Sequence, residues 1–218
     1  MQNEFFRNII SQLEDIDLGE ADHTDEIDFS SAKTFRDAID LVRKNELNRI
    51  GIGKYREAWH HPFDKRLVIK VATPRDETNS QEECQLRNMW EFIIWHECLE
   101  KKLPELEFLM PCKAIAPDGS WLTQQKGTRV PQDKSVAIKD QMDWVGDRSK
   151  TNYAMLGDQV KSIDYATTKA MEHLELSQDP KVCEQRVLEL LKKLKHNYQS
   201  DTYGQSQRHP GDDNPKSD

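Results

Sequence analysis

Asp147, Asn152 and Asp164 are the oxygen-bearing side chains whose spacing most invites chemistry. Tyr153–Leu156 and residues 159–163 read as short strands, with Gly157-Asp158 as a two-residue turn between them. If Leu156 pairs with Gln159, the antiparallel register sets Asn152 opposite Ile163, one residue before Asp164. The amide oxygen of Asn152 and the carboxylate of Asp164 then emerge at one end of the hairpin. Asp147 sits just upstream, on a loop short enough to bring a third oxygen group to that end. Hard cations such as Mg²⁺ take oxygen ligands and need only one or two from a protein when phosphates supply the others. A solvated surface hairpin is the plainer reading of the same residues.

A second group lies earlier in the chain. Gly51 and Gly53 stand between strand-like runs, where glycines let a backbone approach phosphates with its N–H groups turned inward. About one hairpin later comes Val68-Ile69-Lys70-Val71-Ala72, a lysine inside an apolar strand. Burying that ammonium is costly unless anions meet it.

Taken together, Gly51-x-Gly53, Lys70 in its apolar strand, Asp147-x-x-x-x-Asn152 and Asp164-Tyr165-Ala166 have the order and rough spacing of the protein-kinase fold. The chain resembles, more closely, compact kinase-like proteins of phages and archaea, in which the glycine loop runs into an arginine, as it does here at Arg56. The resemblance covers roughly residues 48–170. It implies ATP and Mg²⁺ as cofactors, with Gly51, Gly53 and Arg56 over the phosphates and Lys70 on them. It further implies Asn152 and Asp164 as the metal ligands, and catalysis by Asp147 and Lys70. The helix after the Lys70 strand would supply that lysine's glutamate partner. Asn88-x-x-Glu91-x-x-x-Trp95 resembles the form this helix takes in the compact relatives, so Glu91 is the choice, with Glu82 as the fallback. Residues 123–127, including Gln124 and Gln125, fall where the kinase hinge would pair with an adenine edge.

The elements that must position these groups follow from periodicity. Residues 78–102 form a long helical candidate with apolar residues on two sides, as expected of a buried helix. Residues 108–115 and 120–125 read as strands around a Pro117-Asp118-Gly119 turn, completing a five-stranded antiparallel sheet. Upstream, Phe5, Phe6, Ile9, Ile10 and Leu13 suggest a short amphipathic helix. Ser30 or Ser31 can cap another that carries Phe35, Ala38, Ile39 and Val42. Only one short helix, about 132–144, fits between the sheet and Asp147. After Asp164 come a helix over 167–176 and one opened by Asp179-Pro180, with Cys183, Val187, Leu190, Leu191 and Leu194 on one face. The expected class is α+β and protein-kinase-like: a helical addition at 1–47, an N-lobe at 48–127, a strongly reduced helical C-lobe at 128–199, and a disordered tail at 200–218.

Bulk properties limit the partners. A net charge of −8 over 218 residues argues against nucleic acid or an anionic membrane. No apolar run approaches the roughly 20 residues of a membrane span, and the acidic start lacks the features of a signal peptide. The four scattered cysteines read as buried thiols, so the cytoplasm is the expected compartment. His60, His61 and the His96/Cys98 pair lack the short paired spacings of a zinc site. The five tryptophans read as packing residues.

The chain also departs from the kinase pattern. Val145-Gly146 replaces the usual His-Arg, Ala166 replaces a glycine, and no Ala-Pro-Glu follows. These losses bear on protein-substrate docking more than on nucleotide binding. The expected activity is phosphoryl transfer to a protein or to the chain itself. The alternatives are a pseudokinase that regulates a protein partner by binding it, and a small-molecule phosphotransferase.

Overall fold

All six residues of Leu67–Ala72 are buried, which is what a strand covered on both faces requires. The computed structural model describes residues 27–131, 142–147 and 149–205. It is a mixed α+β structure built on a five-stranded antiparallel sheet. The strands are β1 (Arg49–Ile52), β2 (Arg56–His60), β3 (Leu67–Ala72), β4 (Cys112–Ile115) and β5 (Trp121–Gln125), in the order β1-β2-β3-β5-β4. The central place of β3 explains its apolar character, which only Lys70 interrupts.

Alternate residues of β3 serve opposite faces. Ile69 and Val71 join Trp59 and the buried side of α1 (Phe35–Arg43), namely Phe35, Ile39 and Val42. The helical periodicity of those residues is as expected, but neither serine caps the helix. Thr34 does, in a reciprocal capping box with Asp37, because threonine three residues before an acid satisfies two free N–H groups at once. The opposite face of the sheet packs on α2 (Gln81–Lys101), whose buried Trp90, Phe92, Ile93 and Ile94 belong to the larger core. Ser80 caps α2 by accepting from the Glu83 N–H at 3.0 Å. The helix begins later than the pattern suggested because Asp76 draws the N–H of Thr78 into a local turn.

Strand β4 is also shorter than expected. Residues Pro104–Phe108 form a 3₁₀ helix, and the Met110 N–H then donates to the Ser162 carbonyl at 2.9 Å. That bond takes the chain toward the second hairpin, and Pro111 has no N–H with which to begin the ladder earlier.

The second hairpin has the expected register. β6 (Tyr153–Leu156) and β7 (Gln159–Ser162) pair from Tyr153↔Ser162 to Leu156↔Gln159. Gly157 takes the positive φ (+58°) that the two-residue turn requires. Beyond the ladder, the Ile163 N–H donates to the Asn152 carbonyl at 2.9 Å, so Asn152 and Asp164 do leave the hairpin at one end.

Two helices follow. α3 (Thr168–His173) is capped by Thr167, and α4 (Pro180–Gln205) by Asp179, which accepts from the Lys181 N–H at 2.8 Å. α4 lies along α2, with Cys183, Val187 and Leu190 buried between them and Arg186 paired to Glu97 and Glu100. Residues 200–205, expected to begin the tail, belong to this helix; residues 206–218 lie outside those described, as does the expected N-terminal helix at 5–13. Of the helix expected at 132–144, residues 132–141 lie outside the described part, and Asp143–Val145 is a single 3₁₀ turn. All four cysteines are free and buried, as expected. Among the described residues, no helix is long and apolar enough to cross a membrane.

Candidate functional site

Strand alternation turns Lys70 toward α2, where it lies level with Ala58 on β2 and Leu122 on β5. Its Nζ meets Glu91 Oε1 at 2.5 Å and also donates to the Ile163 carbonyl. Glu91 is thus the lysine's partner, whereas Glu82, in the first turn of α2, is exposed. One turn before Glu91, Asn88 donates to the Gly119 carbonyl at 2.8 Å, which ties α2 to the turn between β4 and β5.

Arg56 opens β2 and reaches inward. One arm of its guanidinium holds Glu91 Oε2, with Asn88 Oδ1 at 3.4 Å, and the other holds Asp164 Oδ1. Gln124 adds a third donor to Glu91, at 2.6 Å from Oε1. Glu91 is completely buried, and Lys70 and Arg56 are 6% and 8% exposed. Two cations therefore face two carboxylates, and the cluster is electrically balanced, as buried charges must be. The Asp164 side chain is the open member, 44% exposed. Its partial burial works against its charge, but Arg56, Lys70 and Arg87 outweigh that and hold its acidity below the ordinary carboxylate range.

The residues around Asp164 fix where its carboxylate points. Tyr165 is fully buried, donates to the Met110 carbonyl at 2.8 Å and lies 3.0 Å from Cys112 Sγ. Burial pushes the Cys112 thiol up to about 12, so it is a neutral partner. Ala166 accepts from Arg87 through its carbonyl at 2.9 Å. The Arg87 guanidinium also stacks on Tyr55 and Trp90, at 4.7 Å and 4.6 Å from the ring centroids. Arg87 thereby joins the β1–β2 turn, α2 and the segment after Asp164, a role the sequence reading missed. Its spacing of three from Trp90 on a helix was the available signal.

The remaining candidates are placed less centrally. The β1–β2 turn is tight: the Gly53 N–H donates to the Arg56 carbonyl at 2.8 Å, and a Cβ on Gly53 would stand 3.3 Å from that oxygen. Gly51 lies opposite Ala58 with open space where a Cβ would point. Asn152 is half-buried at the start of the second hairpin. Asp147 is exposed, accepts from the Ser149 N–H at 3.0 Å, and has no hydrogen bond or ion pair to the Lys70–Asp164 cluster among the described residues.

The strand end at Gln124 and Gln125 is organised differently from the expected adenine edge. Gln124 turns its side chain to Glu91, and Gln125 donates its side-chain N–H to the Arg66 carbonyl at 3.2 Å. The backbone N–H groups of Gln125, Lys126 and Thr128 donate to Pro111, Arg66 and Met155 carbonyls at 2.9, 2.7 and 2.9 Å. Gly127 is pressed on β6, where a Cβ would come within 2.6 Å of Ala154 Cβ and 2.7 Å of the Met155 carbonyl oxygen.

Among the described residues, no group of three or more histidine, cysteine or acidic side chains could hold a metal by itself. His96 instead packs on Phe92 at 4.3 Å between ring centroids. In comparisons with known proteins, no family model, no curated protein and no solved structure matches this chain.

Proposed function

We propose that this chain is a minimal protein-kinase-like phosphotransferase that binds Mg·ATP and transfers the terminal phosphoryl group to a protein or to itself. The observation that carries the reading is the buried Lys70–Glu91 pair with the open Asp164 carboxylate beside it. A lysine held by a helix glutamate, next to an acid at a hairpin end, is the arrangement that kinase chemistry needs.

The donor set fits a hard cation. Asp164 keeps its negative charge well below neutral pH, and Asn152, whose side chain carries an amide oxygen, stands at the same hairpin end. Bound there with the nucleotide, Mg²⁺ would supply neutralisation of the phosphate oxygens. Lys70 orients and neutralises the phosphates, and Glu91 keeps the ammonium extended toward them. Arg56 is close enough to Asp164 to shift from that carboxylate onto the transferring group. Asp147 receives the proton of the acceptor hydroxyl as its oxygen bonds to the γ-phosphorus and the β–γ bridging bond breaks, releasing ADP. Positioning and charge supply the rate, since this reaction asks little covalent chemistry of a protein.

The pseudokinase reading has its own support. Arg56 already satisfies Asp164, and Asp147 stands apart from the cluster, so a binding module without catalysis would have the same geometry. Thermal unfolding with and without Mg·ATP tests the nucleotide claim. The wild type should gain stability with ligand saturation, and Asp164→Ala should lose the Mg²⁺-dependent part of that gain. Equal gains in both proteins would refute the metal assignment.

A further inference from the structure

We infer that this site recognises a magnesium-bound triphosphate through its phosphates and is indifferent to the base. The inference rests on the nucleotide reading above and concerns which part of the nucleotide is gripped.

Reading a purine edge takes an exposed backbone donor and acceptor close together on one open strand end. Here the Gln125, Lys126 and Thr128 N–H groups each have a carbonyl partner. The Thr128 carbonyl is also taken, by the Met155 N–H at 2.8 Å. Between them Gly127 rests on β6, with Ala154 Cβ, the Met155 carbonyl and Met110 Cε all within 2.8 Å of where a Cβ would stand. Ala154 and Met155 are 8% and 7% exposed and Met110 is fully buried, so no gap separates the strand end from the hairpin below it. A base ring would have to break that backbone bridge and displace packed methionines.

The polar end has the opposite character. Arg56 holds the partly exposed Asp164 carboxylate from the sheet side, and Lys70 donates to the carbonyl of the preceding residue, Ile163. Lys54 and Arg87 flank Tyr55 at the tip of the β1–β2 turn. Arg56, Lys70 and Arg87 all act on the Asp164 charge, and Arg87 meets Lys54 across Tyr55, so positive charge extends from the turn to Asp164, as a run of phosphates needs. Sites that hydrogen-bond a substrate group reject analogues lacking it by large factors, because their buried polar groups are left unpaired. With the Gln125, Lys126 and Thr128 N–H groups already satisfied, changing the base leaves none of these three unpaired.

Calorimetric titration of the full chain at saturating Mg²⁺ with ATP, GTP, CTP and inorganic tripolyphosphate tests this. All four should bind with dissociation constants within tenfold of one another, and Asp164→Ala should weaken all four alike. A preference of tenfold or more for ATP over GTP and CTP would overturn the inference while leaving the nucleotide reading intact. Tripolyphosphate weaker than the nucleotides by tenfold or more would also overturn it, by showing that the nucleoside is gripped. No binding of any of the four at millimolar concentration would overturn both.

Discussion

Replacing Glu91 by glutamine probes the cluster with almost no change of shape. Glu91 is fully buried, and three donors converge on its two oxygens: Lys70 at 2.5 Å, Gln124 at 2.6 Å and Arg56. Glu91→Gln removes one of two negative charges and leaves both cations in place. It also sets an amide N–H₂ against a donor whichever way the amide turns. Breaking a buried ion pair by removing one partner costs about 3–5 kcal/mol. Asp164 remains to share the load, so the expected cost is near the lower bound, about 3 kcal/mol. For a chain of this size that lowers the melting temperature by roughly 6–12 °C. Urea unfolding followed by circular dichroism should show a lower midpoint at an unchanged slope. Lys70→Met combined with Glu91→Gln restores charge balance, so the double variant should be less destabilised than the sum of the singles by at least about 1 kcal/mol. A Glu91→Gln protein within about 0.5 kcal/mol of wild type, the range of ordinary surface changes, would refute the argument.

Two further perturbations address the frame around the site. Burial depresses His96 to about 4, against the opposing influence of Glu100, with Arg186, Glu97 and Lys113 also near. The unfolded chain then binds more protons, so this contribution is complete above about pH 6.5 and is lost as the pH falls toward 4, by at most about 3 kcal/mol. His96→Gln should flatten that acid limb in unfolding midpoints measured from pH 7 to 4.5, and an unchanged limb would contradict the assignment. Thr34→Ala removes the capping box of α1 and should cost about 1 kcal/mol, read in the same urea assay, while Thr34→Ser should cost little.

The parts of this molecule that the sequence showed clearly are those governed by local rules. Gly157-Asp158 admits a two-residue turn, which leaves one register for β6 and β7 and so places Asn152 and Asp164 at a common end. Alternation along β3 sends Lys70 to the helix side, and the three-residue spacing of Asn88 and Glu91 puts both on the facing side of α2. What stayed hidden depends on contacts distant in sequence. Arg56 and Asp164 are held by folding alone, so the resemblance to compact kinase-like proteins gave the arginine to phosphates and nothing local pointed to the carboxylate. The closure of Gly127 on Ala154 likewise joins two segments whose packing has no local signal. Thr34, not a serine, caps α1 because the acid that completes the capping box is Asp37, three residues after it.

Phosphate transfer by an Asp147→Asn variant tests the central claim most directly. Asparagine keeps the size and hydrogen-bonding reach of the aspartate but cannot take a proton from an acceptor hydroxyl. Asp147 is exposed and lies outside the Lys70–Asp164 cluster, so the fold and the binding of Mg·ATP should be unaffected. With labelled ATP and Mg²⁺, wild type should label itself or an added acceptor protein, and Asp147→Asn should be slower by about a hundredfold or more. Equal labelling by the two proteins would contradict the role of Asp147, and a wild type that binds Mg·ATP yet transfers nothing to protein or small-molecule acceptors would contradict the phosphotransferase account.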